Sequence, residues 1–163
     1  MLGYKIYLLS LLCIILFYSK KRENYTSENR NKIKIVGNKI YKTHNNQKTY
    51  YKIKKLYDET LHKFDFVPIM EFNDKKLEII EDYIKNKLTK KNKPKDYENQ
   101  LRNIYNTFRK NNLYHNDLAY KDHIRVKNNK ILVIDFDSMG HNKSSFSIKR
   151  KSNNINYIIS KYT

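Results

Sequence analysis

Three carboxylates stand where this chain could do phosphoryl or metal chemistry. Asp135 and Asp137 close the apolar run that begins at Ile131 in "ILVIDFDSMG", and Asp117 lies 18 residues before Asp135 in "YHND". An apolar run that stops on an acid reads as a buried strand delivering its carboxylate to a cleft. There the acid serves either as a nucleophile toward phosphorus or as a ligand for Mg²⁺ beside a transferring phosphoryl group. The two chemistries need different company, so the neighbouring residues decide between them.

Taken alone, "VIDFDSM" resembles the first motif of haloacid-dehalogenase-type phosphatases, an apolar strand followed by Asp-x-Asp. That resemblance implies a downstream lysine and further downstream carboxylates to hold the metal. The 26 residues after Asp137 contain no Asp or Glu, so the phosphatase is set aside.

Read with what precedes it, "YHNDLAYKDHIRVKNNKILVIDFD" resembles the protein-kinase-like superfamily. The pattern there is His-x-Asp-x-x-x-x-Asn, a hairpin, then an apolar strand ending in Asp-Phe-Gly or Asp-Phe-Glu. "HND" followed by Leu is also similar to the choline kinase and aminoglycoside phosphotransferase branch. The resemblance implies that Asp117 orients the acceptor hydroxyl and takes its proton, and that Asp135 binds Mg²⁺. It places Asp122 in the asparagine's position as a second metal ligand, and His115 as a brace for the loop. Phosphoryl transfer is mostly positioning and charge neutralisation, so a base, one or two metal ligands and a cation for the phosphates suffice.

Upstream, "NKIYKT" resembles the strand carrying the lysine that contacts the phosphates of ATP, which makes Lys42 the binding cation. Glu81-Asp82-Tyr83 fall near the expected adenine position. There are departures. Gly37 is the one glycine before Lys42 that could serve a phosphate loop, and Asp137 stands in a glycine's place. A helix acid should pair with Lys42, and Glu59 is the candidate, although it points off the helix's apolar stripe.

Positioning these residues requires elements that the pattern supplies. "KIKIV" and "NKIYKT" read as strands split at Gly37-Asn38, and residues 46 to 64 carry a helical apolar stripe. "FVPIMEF" and "KLEIIEDYI" read as two strands joined across Asn73-Asp74. Pro94 opens a second helix with Tyr97, Leu101, Ile104, Tyr105 and Phe108 on one face. Asn128-Asn129 is a hairpin turn, and a short helix or strand is expected around Ile155 to Tyr162.

The chain is one domain's worth at 163 residues, with 34 Lys+Arg against 16 Asp+Glu and a net charge of +18. Such charge draws a protein toward anionic partners, but no nucleic-acid-binding motif accompanies the dispersed lysines. His44, His62, His141 and the single Cys13 form no zinc pattern. At the N-terminus, Ile6 to Tyr18 holds thirteen residues that are apolar or aromatic except Ser10. Lys20, Lys21 and Arg22 follow, outnumbering Lys5 on the other side, which favours a signal anchor with the rest of the chain in the cytosol.

The sequence therefore predicts an α+β, protein-kinase-like chain with a small antiparallel-sheet N-lobe and a curtailed C-lobe behind a transmembrane helix. Its parts are a membrane anchor at 1–19, a polar linker at 20–33, the kinase-like domain at 34–140 and a basic tail at 141–163. The implied activity is ATP- and Mg²⁺-dependent transfer to a hydroxyl, on a protein substrate. The competing expectations are a non-catalytic membrane adaptor of pseudokinase type and a small-molecule kinase.

Overall fold

The computed structural model describes residues 31–141, 143 and 147–163. The expected anchor, and most of the expected linker, lie outside the described residues. Among the described residues no helix is long and apolar enough to cross a membrane.

The first half is built around a four-stranded antiparallel sheet. Strands β1 (Lys32–Val36) and β2 (Lys39–Thr43) form a hairpin whose turn requires Gly37, at φ +57°. Helix α1 (Gln47–Glu59) starts at Asn46, whose Oδ1 accepts from the Thr49 N–H at 3.0 Å. Tyr50, Ile53 and Leu56 recur at helical spacing and are buried, so α1 packs that stripe inward. Strands β3 (Met70–Asn73) and β4 (Glu78–Asp82) complete the sheet in the order β1-β2-β4-β3. The register sets Lys42 opposite Ile79 and Ile40 opposite Glu81. Directly opposed residues share a face, and side chains alternate, so Ile40, Lys42, Ile79 and Glu81 all lie on one side of the sheet.

The second half rests on helix α2 (Tyr97–Lys110), which begins three residues after Pro94. Its buried residues are Tyr97, Leu101, Ile104 and Phe108, four of the five expected on its apolar face. Strand β5 (Tyr114–His115) pairs with β8 (Met139–Gly140), and β6 (Ile124–Lys127) with β7 (Lys130–Val133). The β6–β7 turn has Asn128 at φ 51° and Asn129 at φ 60°, the left-handed pair that a two-residue hairpin demands.

Two short helices, α3 (Ser147–Lys151) and α4 (Ile155–Ser160), follow. The expected division at 140 separates a tail that belongs to the core: Ile158, Ile159 and Tyr162 are buried, and α4 packs on α2. The apolar stripe of Ile155, Ile158 and Ile159 is short, but it finds a waiting face on α2.

One continuous apolar cluster joins the halves. The Val133 N–H donates to the Phe66 carbonyl at 2.9 Å, and the Leu88 N–H to that of Ile124 at 3.1 Å, so β6 and β7 are stitched to both flanking segments. Phe108 sits at the junction, edge-on to Phe66 at 5.3 Å and 6.2 Å from Phe64. Phe108→Ala should cost about 3–5 kcal/mol, seen in urea unfolding as a lower midpoint at unchanged slope. A loss below about 1 kcal/mol would show that the junction closes around the missing ring.

Candidate functional site

The sheet and the β6–β7 hairpin meet at an ion pair. Lys42 Nζ on β2 donates to Asp135 Oδ1 at 2.6 Å, bringing together residues 93 apart in sequence. Asp135 follows the buried Val133, and its backbone is left-handed at φ 65° and ψ 71°. A non-glycine residue in that conformation marks stored strain, which concentrates where a side chain must be aimed. The second carboxylate oxygen, Oδ2, lies 3.2 Å from His123 Nε2. Burial works against ionising Asp135, but His123 and Lys42 outweigh it and hold the carboxyl well below the usual range. Burial also opposes the charge on Lys42, yet Asp135, Asp137 and Glu81 together raise its pKa above the ordinary lysine value.

Asp137 lies alongside, with Oδ1 at 3.8 Å from Lys42 Nζ. Its Oδ2 accepts from Asn31 Nδ2 at 2.8 Å, while Oδ1 is buried and receives no hydrogen bond from the described residues. The turn Phe136–Ser138 packs against α1, and Lys52 on that helix donates to the Asp137 carbonyl. Glu81 reaches the same place from β4: it lines one small cavity with Lys42, Ile53, Asp135 and Asp137. Burial raises its carboxyl to about 7, against the pull of Lys42.

Below this cluster the loop Tyr114–Tyr120 is held from several sides. The His115 ring is 2% exposed, and its Nε2 pairs with the Ile134 carbonyl at 3.1 Å, one residue before Asp135. Asn116 Nδ2 donates to the Ser138 carbonyl at 2.9 Å. The Ala119 N–H donates to Ser152 Oγ at 2.7 Å, and Lys161 Nζ to the Ala119 carbonyl at 2.8 Å, so the C-terminal segment secures the loop. Asp117 stands partly exposed on that loop, its carbonyl accepting from the Tyr120 N–H at 2.9 Å.

Of the residues singled out in the sequence, Lys42 and Asp135 are thus in contact, and His115 ties Asp117's loop to the segment carrying Asp135. Asp122 is turned outward to an ion pair with Lys87, its side chain 66% exposed. The short helical turn Lys121–His123 rotates successive residues apart, and His123 takes the place beside Asp135. Glu59 also faces away from Lys42, 3.8 Å from Lys55, as its position off the apolar stripe foretold.

Sequence reasoning missed Glu81 as a neighbour of Lys42, and it missed Lys52 and Asn31 altogether. Strand alternation carried a signal for the first, since Glu81 shares its parity with the buried Ile79. Among the described residues no three His, Cys, Asp or Glu side chains are grouped to hold a metal ion. Magnesium at nucleotide sites asks for less, one or two carboxylates with the phosphates and water completing its shell.

Two buried groups respond to pH in opposite senses. Burial, reinforced by His123, lowers His115 from 6.5 to about 4. The unfolded chain therefore gains this proton first as pH falls, and stability declines between pH 6.5 and 4, by about 3 kcal/mol for this group. Glu81 moves the other way: raised from 4.5 to about 7, it makes the fold less stable as pH rises through that window. His115→Gln should remove the first effect and leave the second. Urea unfolding at several pH values should show the variant gaining on the wild type as pH falls from 6.5 toward 4. Parallel pH profiles for the two would mean that His115 does not remain neutral in the folded protein.

Compared with models of known protein families the chain matches none, and a search of curated proteins finds no relative.

Proposed function

We propose that the chain is a compact, protein-kinase-like phosphotransferase that uses Mg²⁺ and ATP to phosphorylate a hydroxyl. The observation that carries this reading is the contact of Lys42 with Asp135 at 2.6 Å. A cation on a sheet strand and an acid at the end of a buried hairpin converge on one cleft, as nucleotide phosphates and their metal require. The antiparallel sheet with one helix inserted between β2 and β3, followed by a second half in which a long helix precedes the β6–β7 hairpin, supports the same reading.

Each residue then has a physical task. Lys42 binds the phosphates, exchanging its carboxylate partner for phosphate oxygens. Asp135, aided by Asp137 through an Oδ1 that accepts no hydrogen bond from the described residues, suits a magnesium ion. That ion, when bound, neutralises charge that accumulates on the phosphates. Asp117 hydrogen-bonds the acceptor hydroxyl. As the hydroxyl oxygen forms its bond to the γ-phosphorus, the bond from that phosphorus to the bridging oxygen breaks, ADP leaves, and Asp117 takes the proton. Ile33 and Ile35, 60% and 49% exposed on the same sheet face as Lys42, offer an apolar ceiling for adenine. His123 supports Asp135 in the position where Asp122 was expected. The acceptor alcohol belongs to a protein, and residues 1–19 attach the chain to a membrane.

The adaptor alternative has one observation in its favour: the direct Lys42–Asp135 pair closes the place where phosphates would lie. Binding and turnover separate the two. With full-length protein in detergent, calorimetry should detect Mg²⁺·ATP binding that Asp135→Ala abolishes. Asp117→Ala should keep binding and lose about 10²–10⁴-fold in phosphoryl transfer, the usual worth of a general base. A folded wild type that binds no nucleotide would overturn the proposal, and binding without turnover would establish the adaptor.

A further inference from the structure

Glu81 is 7% exposed, and its Oε2 is buried without a hydrogen bond from the described residues. A carboxylate kept out of water without a close donor is a costly arrangement, tolerated where a nearby cation needs it. Two cations face Glu81: Lys42 from β2 and, more weakly, Arg125 from β6. Two acids, Asp135 and Asp137, face it from the hairpin end. Of the two cations, Lys42 shares the small cavity with it and with both acids, whereas Arg125 does not line it.

Helix α1 presents no acid to this cavity. Its buried side chains are Tyr50, Ile53 and Leu56, Asp58 and Glu59 are exposed, and the helix's inward-reaching charge is Lys52, bound to the Asp137 carbonyl. Of the three acids around Lys42, Asp135 and Asp137 are those to which the reading above gives the metal. Once they are engaged, Glu81 is the carboxylate still facing the ammonium, fixed on the adjacent strand by the β2–β4 register.

We propose that Glu81 is the positioning residue for Lys42, a counter-ion supplied by the sheet that keeps the ammonium directed at the phosphates when metal and nucleotide occupy Asp135 and Asp137. The nucleotide part rests on the phosphotransferase reading, whereas the pairing of Glu81 with Lys42 does not.

Two measurements test it. The first needs no nucleotide: unfolding of Lys42→Met, Glu81→Gln and the double variant, each in wild-type and Asp135→Asn backgrounds. At pH 8, above the raised value of the Glu81 carboxyl, the double variant should be less destabilised than the two single changes added together, and the shortfall should grow in Asp135→Asn, where Lys42 loses its closest partner. Additive effects in both backgrounds would overturn the pairing. The second is binding. Glu81→Gln should weaken Mg²⁺·ATP about tenfold, within the coupling range of one charge network. Adenosine affinity should stay unchanged, and Lys42→Met should abolish the difference. An equal loss for adenosine, or a loss that persists in Lys42→Met, would assign Glu81 to the base, to Arg125 or to packing instead. Should Glu81→Gln fold poorly, Glu81→Leu serves, because apolar replacement of a buried charge is often neutral or stabilising. It should fold and still bind Mg²⁺·ATP more weakly. A wild type that binds no Mg²⁺·ATP would sink the phosphotransferase reading, and the unfolding cycle would still decide the pairing.

Discussion

The ion pair between Lys42 and Asp135 fixes how the two halves of the molecule meet. Lys42 is 14% exposed and Asp135 34%, so both charges are largely withdrawn from water and neither can be spared cheaply. Removing one partner leaves the other buried and uncompensated, a larger penalty than the pair's own net worth. The sheet must therefore present Lys42 on its inner face, and the hairpin must end where a carboxylate can reach it. The left-handed backbone at Asp135 follows from the second demand, at a cost of about 1–2 kcal/mol. His123 holds the other carboxylate oxygen, and the His115 ring pins the preceding carbonyl, so the strained residue is determined from both sides.

That arrangement depends on packing further away. His115 is buried against Phe136 and close to Phe108, at ring separations of 5.6 and 6.4 Å. Phe108 in turn belongs to α2, the helix on which the C-terminal segment rests. Ser152 and Lys161 reach back from that segment to the backbone at Ala119, within Asp117's loop. A chain of contacts thus runs from the last helix to the acid at the cleft. The tail is basic by composition, but its role in the fold is to satisfy backbone groups that a loop would otherwise leave unpaired.

The elements were readable because their signals are local. The turns at Gly37-Asn38 and Asn73-Asp74 located the strands of the sheet, helical stripes located α1 and α2, and the Asn128-Asn129 turn set the hairpin that delivers Asp135. What stayed hidden was rotation and partnership. Asp122 and His123 are adjacent, and a single short helical turn decides which one faces inward; spacing along the chain carries no such information. In sequence Lys52 is indistinguishable from the other lysines of α1; its bond to the turn Phe136–Ser138, packed against the helix, sets it apart. Glu81 is legible by its parity with Ile79, but the kinase-like pattern points to a helix acid for Lys42 and to the adenine side for residues 81–83.

The charges around the cleft follow a consistent division of labour once Lys52 and Glu81 are placed. The helix contributes a cation and the sheet contributes an acid. Lys52 holds α1 to the backbone of the turn after Asp135, while Glu81 faces Lys42 from the neighbouring strand. The helix and Lys42 are therefore connected through the turn at 136–138, with no direct bond between them among the described residues. A helix acid bonded to Lys42 would transmit any shift of α1 to the ammonium. Here a shift of α1 acts first on Asp137 and its carbonyl, and Lys42 keeps its neighbours within the sheet. Lys42 sits on a strand paired on both sides, β1 on one and β4 on the other, so the cation is held by a regular element and not by a loop. The cost is a carboxylate buried beside it, held near neutrality by desolvation whenever the local positive charge weakens.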